Sequence, residues 1–144
     1  MSAQPLPPKP VADRDTRPFW DAVASRRLLV PRCSACEAWI WQPRPICPRC
    51  HAPDPVWHEV SGAARVASWT RLHAPVLAVW AEAAPFVVLL VELDDAPGVR
   101  MVGQLVDDAG ALVHSDEGVA MGAPLSLRWR VDEAGQTLPA WTLP

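Results

Sequence analysis

The chain is 144 residues long, half apolar and one-fifth charged, with a formal net charge of −3. These values fit one compact domain, or a small domain carrying a smaller module, and speak against a disordered chain. They also weigh against non-specific binding of nucleic acid, which asks for a basic excess, whereas 16 acidic residues here outnumber 13 basic ones. Seventeen prolines disfavour long helices and favour short strands with many turns. Residues 1–10 show no apolar signal segment, and the longest apolar run, residues 83–91, is too short for a membrane-spanning helix. A cytoplasmic protein with no membrane partner is the expectation. In that reducing compartment clustered cysteines bind metal more often than they pair as disulfides.

Residues 1–16, rich in Pro and charge, read as a flexible N-terminal arm. Residues 17–30 read as a short amphipathic helix, running to Arg27, and a lead-in strand. Pro18 suits the first helical turn, and Phe19, Trp20, Val23 and Arg27 recur at helical spacing. Phe19 and Trp20 are its apolar anchors, packed on the chain's own core or docked on a partner protein. Residues 31–60 hold the four cysteines, with strands expected over 28–33, 39–42 and 56–60. Trp39 and Trp41, two residues apart on the middle strand, fall on one side of it and would pack the module onto the rest of the chain.

Residues 61–144 read as β structure. In the strand after Ala64, Val66 and Leu72 face inward and Trp69 lies on the other face. Residues 86–93 are a near-continuous apolar run, as in a strand buried on both sides. Pro97 and Gly98 turn the chain into a strand over 99–106. Leu125, Leu127, Trp129 and Val131 alternate with polar residues, the clearest period-2 signal in the chain. Residues 138–143 are a closing segment. Between these elements, residues 73–85 read as a loop or short helix, and residues 107–122 as a polar loop with one helical turn. The expected fold is mainly β, with an N-terminal helix, a ribbon and a C-terminal five-stranded OB-fold barrel, ahead of a seven-stranded immunoglobulin-like sandwich. No internal repeat is evident.

Cys33-x2-Cys36 and Cys47-x2-Cys50 are two knuckles ten residues apart. A two-residue spacing lets both sulfurs of a knuckle point at one ion, and ten residues suffice to bring the second knuckle back to the first. Zinc takes a tetrahedral shell of soft ligands, so four thiolates satisfy it and leave no position for a reacting water. A structural Zn2+ held by Cys33, Cys36, Cys47 and Cys50 follows. A four-thiolate iron site uses the same ligands, and His51 is a neighbouring substitute. The βαβ setting of a redox C-x2-C is absent.

No nucleophile, metalloprotease, phosphate-loop or dinucleotide motif is present around His51, His58, His73 or His114. The acid pairs Asp94-Asp95 and Asp107-Asp108 sit where turn chemistry explains them. No catalytic residue is assigned, and a non-catalytic protein is expected.

Pro18-Phe19-Trp20, the four-cysteine ribbon, Ser61-Gly62 and Val66-Ala67-Ser68-Trp69-Thr70 follow one another in a series that resembles the DUF35 family. Residues 86–93 and 119–125 match its barrel strands, so the likeness covers about residues 17–131. The resemblance implies an N-terminal helix, a rubredoxin-like zinc ribbon over residues 31–60 and an OB fold over residues 61–144. It implies a non-catalytic partner of an acyl-CoA enzyme of lipid metabolism: thiolase-like, aldolase-like, MaoC-like hydratase, hydroxymethylglutaryl-CoA synthase or acyltransferase. Such a subunit steadies its partner and helps enclose acyl-CoA. Arg44, Arg49 and Arg71 are candidates for the CoA phosphates, because a guanidinium forms forked hydrogen bonds to them. Association into a homo-oligomer is a further expectation. The competing function is a single-stranded nucleic-acid-binding OB fold that stacks bases on some of the eight tryptophans. A third is an independent enzyme. Loops 73–85 and 107–117 depart most from the family pattern.

Overall fold

A computed structural model describes residues 6–74 and 76–144. The first five residues of the expected arm, and residue 75, lie outside the described residues. The arm ends in a built turn: the Asp13 carboxylate accepts hydrogen bonds from the Asp15 and Thr16 amides and from the Thr16 hydroxyl. The turn feeds helix α1 (Arg17–Ala24), with Pro18 in its first turn. The helix stops three residues before the expected Arg27. Arg26 adopts a left-handed φ of 56°, and the amides of Arg26 and Arg27 bond back to the carbonyls of Val23 and Ala22. This is a Schellman cap, and it satisfies carbonyls that the helix end leaves open.

Strand β1 (Leu28–Arg32) pairs antiparallel with β2 (Val56–Val60), Leu28 lying opposite Val60. The knuckles hang between these two strands. The strand expected over 39–42 shrinks to one bridge between Arg32 and Trp39, after which the Ile40 amide bonds to the Pro31 carbonyl. The chain then bends at Trp41 and Gln42, ahead of Pro43, so the two tryptophans diverge. Trp39 packs on the ribbon's own Arg32 and His58 and Trp41 meets Phe19, and both also pack against the main core, as expected.

The remaining strands are β3 (Ala64–Leu72), β4 (Phe86–Leu93), β5 (Arg100–Gln104), β6 (Pro124–Val131) and β7 (Thr137–Thr142). They form one sheet in the order β5-β4-β3-β6-β7. A parallel bridge between Leu105 and Trp141 joins its two edges, which makes the sheet the five-stranded OB barrel that the pattern predicted. Trp141 is fully buried at that seam, and its indole N–H donates to the Gly62 carbonyl at 2.9 Å. Gly103 makes the seam possible: a Cβ there would lie 2.6 Å from Cε3 of Trp141.

Two expectations about facing are corrected. The register of β3 on β4 slips between Val66 and Ser68, so Ala67 is bulged and the side-chain alternation resets. Trp69 therefore stands opposite the buried Leu89 and packs on the core, rather than on the outer face. Strand β4 is buried on one side only: Val87, Leu89, Val91 and Leu93 are inside, while Val88, Leu90 and Glu92 are part-exposed. Its outer face carries the cross-strand rows Arg65–Glu92–Arg100 and Ser68–Leu90–Val102.

The connections are simpler than expected. Among the described residues of 73–85 there is a single 3-10 turn, at Ala78–Trp80. The 107–122 loop holds no helical turn, because the Asp107 carboxylate ties the amides of Ala109 and Ala111 into a turn instead. That loop sends Val113 and Val119 into the barrel core. No helix among the described residues is long and apolar enough to cross a membrane.

Candidate metal centre and an aromatic groove

The two knuckles share one backbone conformation, repeated at an offset of 14 residues from Cys33 to Cys47. In each, the first cysteine's amide donates to a carbonyl five residues on (Ala38, Ala52), and its carbonyl accepts from the residue four on (Glu37, His51). Glu37 and His51 are both left-handed, with φ of 61° and 63°. Antiparallel bridges Arg32–Trp39 and Ile46–Pro53 close the two loops. This is a local repeat, where none was expected from the sequence. Pro31 and Pro45, the paired cysteines, and Ala38 and Ala52 keep the same letters at that offset, and the amides of Ile40 and Asp54 bond alike to the two proline carbonyls.

The four ligand sulfurs of Cys33, Cys36, Cys47 and Cys50 all lie within 4.8 Å of one another. Sγ of Cys33 is 3.5 Å from that of Cys50, and Sγ of Cys36 is 3.7 Å from that of Cys47. A tetrahedron with metal–sulfur bonds of about 2.3 Å has edges of about 3.8 Å, so the donor set fits one ion. No disulfide joins them. His51 is not among the clustered groups; its left-handed backbone serves the knuckle turn. Around the cluster the ribbon has little core of its own, namely Cys33, Cys47 and Ile40.

Without a cation the four thiols are unequal. The backbone amide of Cys36, and more weakly that of Ala35, pull Cys33 down to about 6. The Cys50 amide likewise lowers Cys47, with help from the Arg49 amide. At Cys50 the Ala52 amide pulls down, but hydrogen bonds shared with Cys36 and Cys33 outweigh it and the thiol is pushed up to about 12. Neighbouring thiolates resist a further negative charge, and a divalent cation reverses that resistance.

A groove of about 380 Å³ lies between α1, the bend after Ile40 and the barrel seam. Phe19 and Trp20 both line it, in different ways. Phe19 is 6% exposed and belongs to the core, where it meets Trp20 and Trp41 edge-on at 5.0 and 5.2 Å. Trp20 is half-buried and is the anchor with surface left to offer. Trp80, resting on Phe86, forms another wall. The groove carried no signal in the sequence, because its walls come from five separate segments.

The three candidate arginines are not brought together. Arg71, on β3, is held by Asp116 at 3.6 Å and by His73 at 3.1 Å. Arg49 is exposed on the second knuckle, and Arg44 is exposed next to Pro43, a groove residue. Arg100, missed by the sequence reading, lines the groove directly and pairs with Glu92 at 2.8 Å.

Comparison with known proteins follows the same two-part division. Residues 20–56 match the family described as "ChsH2, rubredoxin-like zinc ribbon domain", and residues 57–130 match "ChsH2, C-terminal OB-fold domain". Among curated proteins, the chain is 33% identical over 136 residues to a "Probable enoyl-CoA hydratase alpha subunit" of Thermomonospora curvata. That match takes in 94% of this chain but only 40% of the relative's length. Among solved structures, the chain resembles a subunit of an "Ltp2-ChsH2(DUF35) aldolase", with a TM-score of 0.79 and 30% identity over 94% of this chain and 98% of that one. A DUF35 protein of Sulfolobus solfataricus shares the fold, with a TM-score of 0.62 at 14% identity, covering 91% of this chain and 86% of the other. The chain therefore belongs to the DUF35 family, in the ChsH2-type arrangement of a rubredoxin-like zinc ribbon followed by an OB fold.

Proposed function

We propose that this chain is a non-catalytic accessory subunit of a cytoplasmic acyl-CoA-metabolising enzyme of the thiolase, aldolase, hydratase or acyltransferase class. The observation that carries the reading is the whole-length match, 98% of the other chain, to the DUF35 component of an aldolase. The curated relative, named as a hydratase subunit, supports the same class of chemistry. In this reading Cys33, Cys36, Cys47 and Cys50 hold one structural zinc ion. With four thiolates on it the ion has no open position, so the zinc fixes the shape of the ribbon and the reaction belongs to the partner. Trp20 is the docking contact on α1, and Phe19 is the buried brace beneath it.

Two experiments test this. Affinity purification of the tagged chain from its own cells should co-isolate an acyl-CoA enzyme of one of the four classes in a fixed ratio. Recovery of nucleic acid, or of the chain alone, contradicts the reading. Arg44, Arg49 and Arg71 remain the candidates for the CoA phosphates, and Arg44 is the first to test because it follows Pro43, which lines the groove. Replacing Arg44 by Ala should weaken CoA binding by the assembled complex about tenfold, the size of a lost charge-assisted contact. Unchanged affinity in all three Arg→Ala variants removes that role.

A further inference from the structure

Strands β4 and β5 turn three cross-strand pairs outward: Glu92 with Arg100, Leu90 with Val102, and Val88 with Gln104. Such pairs lie side by side on one face of the sheet. The middle pair is apolar, and Val102 is 67% exposed, so it stands proud of the surface. Beside it lies a shallow hollow of about 260 Å³, with Val88 and Leu90 in its middle and Ser68 and Thr70 of β3 on the far side. At one end of the face Glu92 and Arg100 bond at 2.8 Å, with their side chains 38% and 59% exposed. An apolar centre with a polar and charged rim is the anatomy of a protein interface.

The pattern is complementary to itself. A two-fold axis parallel to the strands, midway between β4 and β5, lays each outward residue of β4 over its own β5 neighbour in a second copy. Glu92 then meets the second copy's Arg100, and Val102 enters the second copy's hollow above Leu90. Each contact is made twice, as an isologous pair requires. An axis one strand over, between β3 and β4, pairs Arg65 with Glu92 but carries Val102 beyond the hollow. The chosen axis also keeps the strand directions of the two sheets aligned, the usual way in which sheets pack face to face. Two barrels touch along this strip only. That is less than the roughly 1,200 Å² a stable complex buries, so the association is weak and concentration-dependent.

We infer that the outer face of β4 and β5 docks a second copy of this chain as a two-fold dimer, with Val102 as the reciprocal knob and Glu92 with Arg100 as the reciprocal ion pairs. This gives the expected homo-oligomer a surface, and it does not depend on the acyl-CoA reading.

Sedimentation velocity of the intact chain, from micromolar to near-millimolar concentration, should show a monomer–dimer equilibrium. Val102→Asp places a charge in the apolar hollow and should weaken the dimer at least tenfold. The site is exposed, so the fold should survive, which the amide spectrum checks. Glu92→Arg and Arg100→Glu should each weaken the dimer as strongly, because like charges then meet across the axis. Mixing these two variants should restore association as a heterodimer, since opposite charges face each other between the chains while the bridge within each chain stays broken. A chain that is monomeric throughout, wild-type association in Val102→Asp, or charge-reversed variants that do not associate when mixed overturns the inference. So does a Val102→Asp chain that no longer co-isolates an acyl-CoA enzyme while the wild-type chain alone is monomeric, because the face then belongs to that enzyme.

Discussion

Cys50 is held by the same geometry that makes it a poor acid. Two sulfurs near it favour the thiol, while the amides at Cys33 and Cys47 favour thiolates there. Near neutral pH Cys33 is largely ionised and Cys50 keeps its proton, so binding a cation must release protons. The sign is fixed: zinc affinity rises with pH and falls as pH drops, most steeply below about 6, where Cys33 also takes up a proton. A chelator competition followed from pH 5 to 8 should show this, and a flat profile would contradict thiolate ligation. Glu37 and His51 carry side chains at left-handed positions, a conformation that costs about 1 kcal/mol or more for residues other than glycine. Glu37→Gly, which gives up only a 3.8 Å surface ion pair with Arg32, should raise stability of the zinc-loaded chain by about 0.5 kcal/mol after glycine's own entropy cost. Thermal unfolding checks it; clear destabilisation would show the Glu37 side chain matters more than its backbone. The cysteines were legible because their spacing is their chemistry. The left-handed positions were not, since Glu and His carry no glycine-like mark.

Elements were read well where one face decides them. The alternation in β6 and the knuckle spacing placed both modules, while β4 misled because its outer face is also apolar. Val88 and Leu90 look like core in a linear string, yet they stand on the outside of the sheet. The Ala67 bulge was invisible for a related reason: one extra residue leaves no compositional trace but exchanges the two faces of β3. At the end of α1, Arg26 fills the position where glycine is usual in a Schellman cap. Arg26→Gly should stabilise the chain by about 0.5–1 kcal/mol, whereas Ala24→Gly, inside the last turn, should cost up to about 1 kcal/mol. Equal effects of the two in urea unfolding would contradict the cap assignment.

The molecule is two modules with unequal means of holding together. The barrel has a broad apolar core sealed by Trp141 against Gly103. Gly103→Ala should therefore cost about 2 kcal/mol through overpacking, measured by urea unfolding. The ribbon has almost no core beyond its sulfurs, so its fold depends on the ion. Removing metal should abolish amide-exchange protection between the knuckles while the barrel strands keep theirs. The groove joins the modules and draws on α1, the ribbon bend and the barrel edge, and for that reason no stretch of sequence announced it.

Native mass spectrometry of the purified chain tests the closed-ion claim most directly. The account predicts one zinc per chain, bound with loss of the cysteine protons and with all four thiols shielded from alkylation. A ribbon that stays folded with no metal, or a chain that binds a metal while one of the four cysteines still reacts freely, would contradict it.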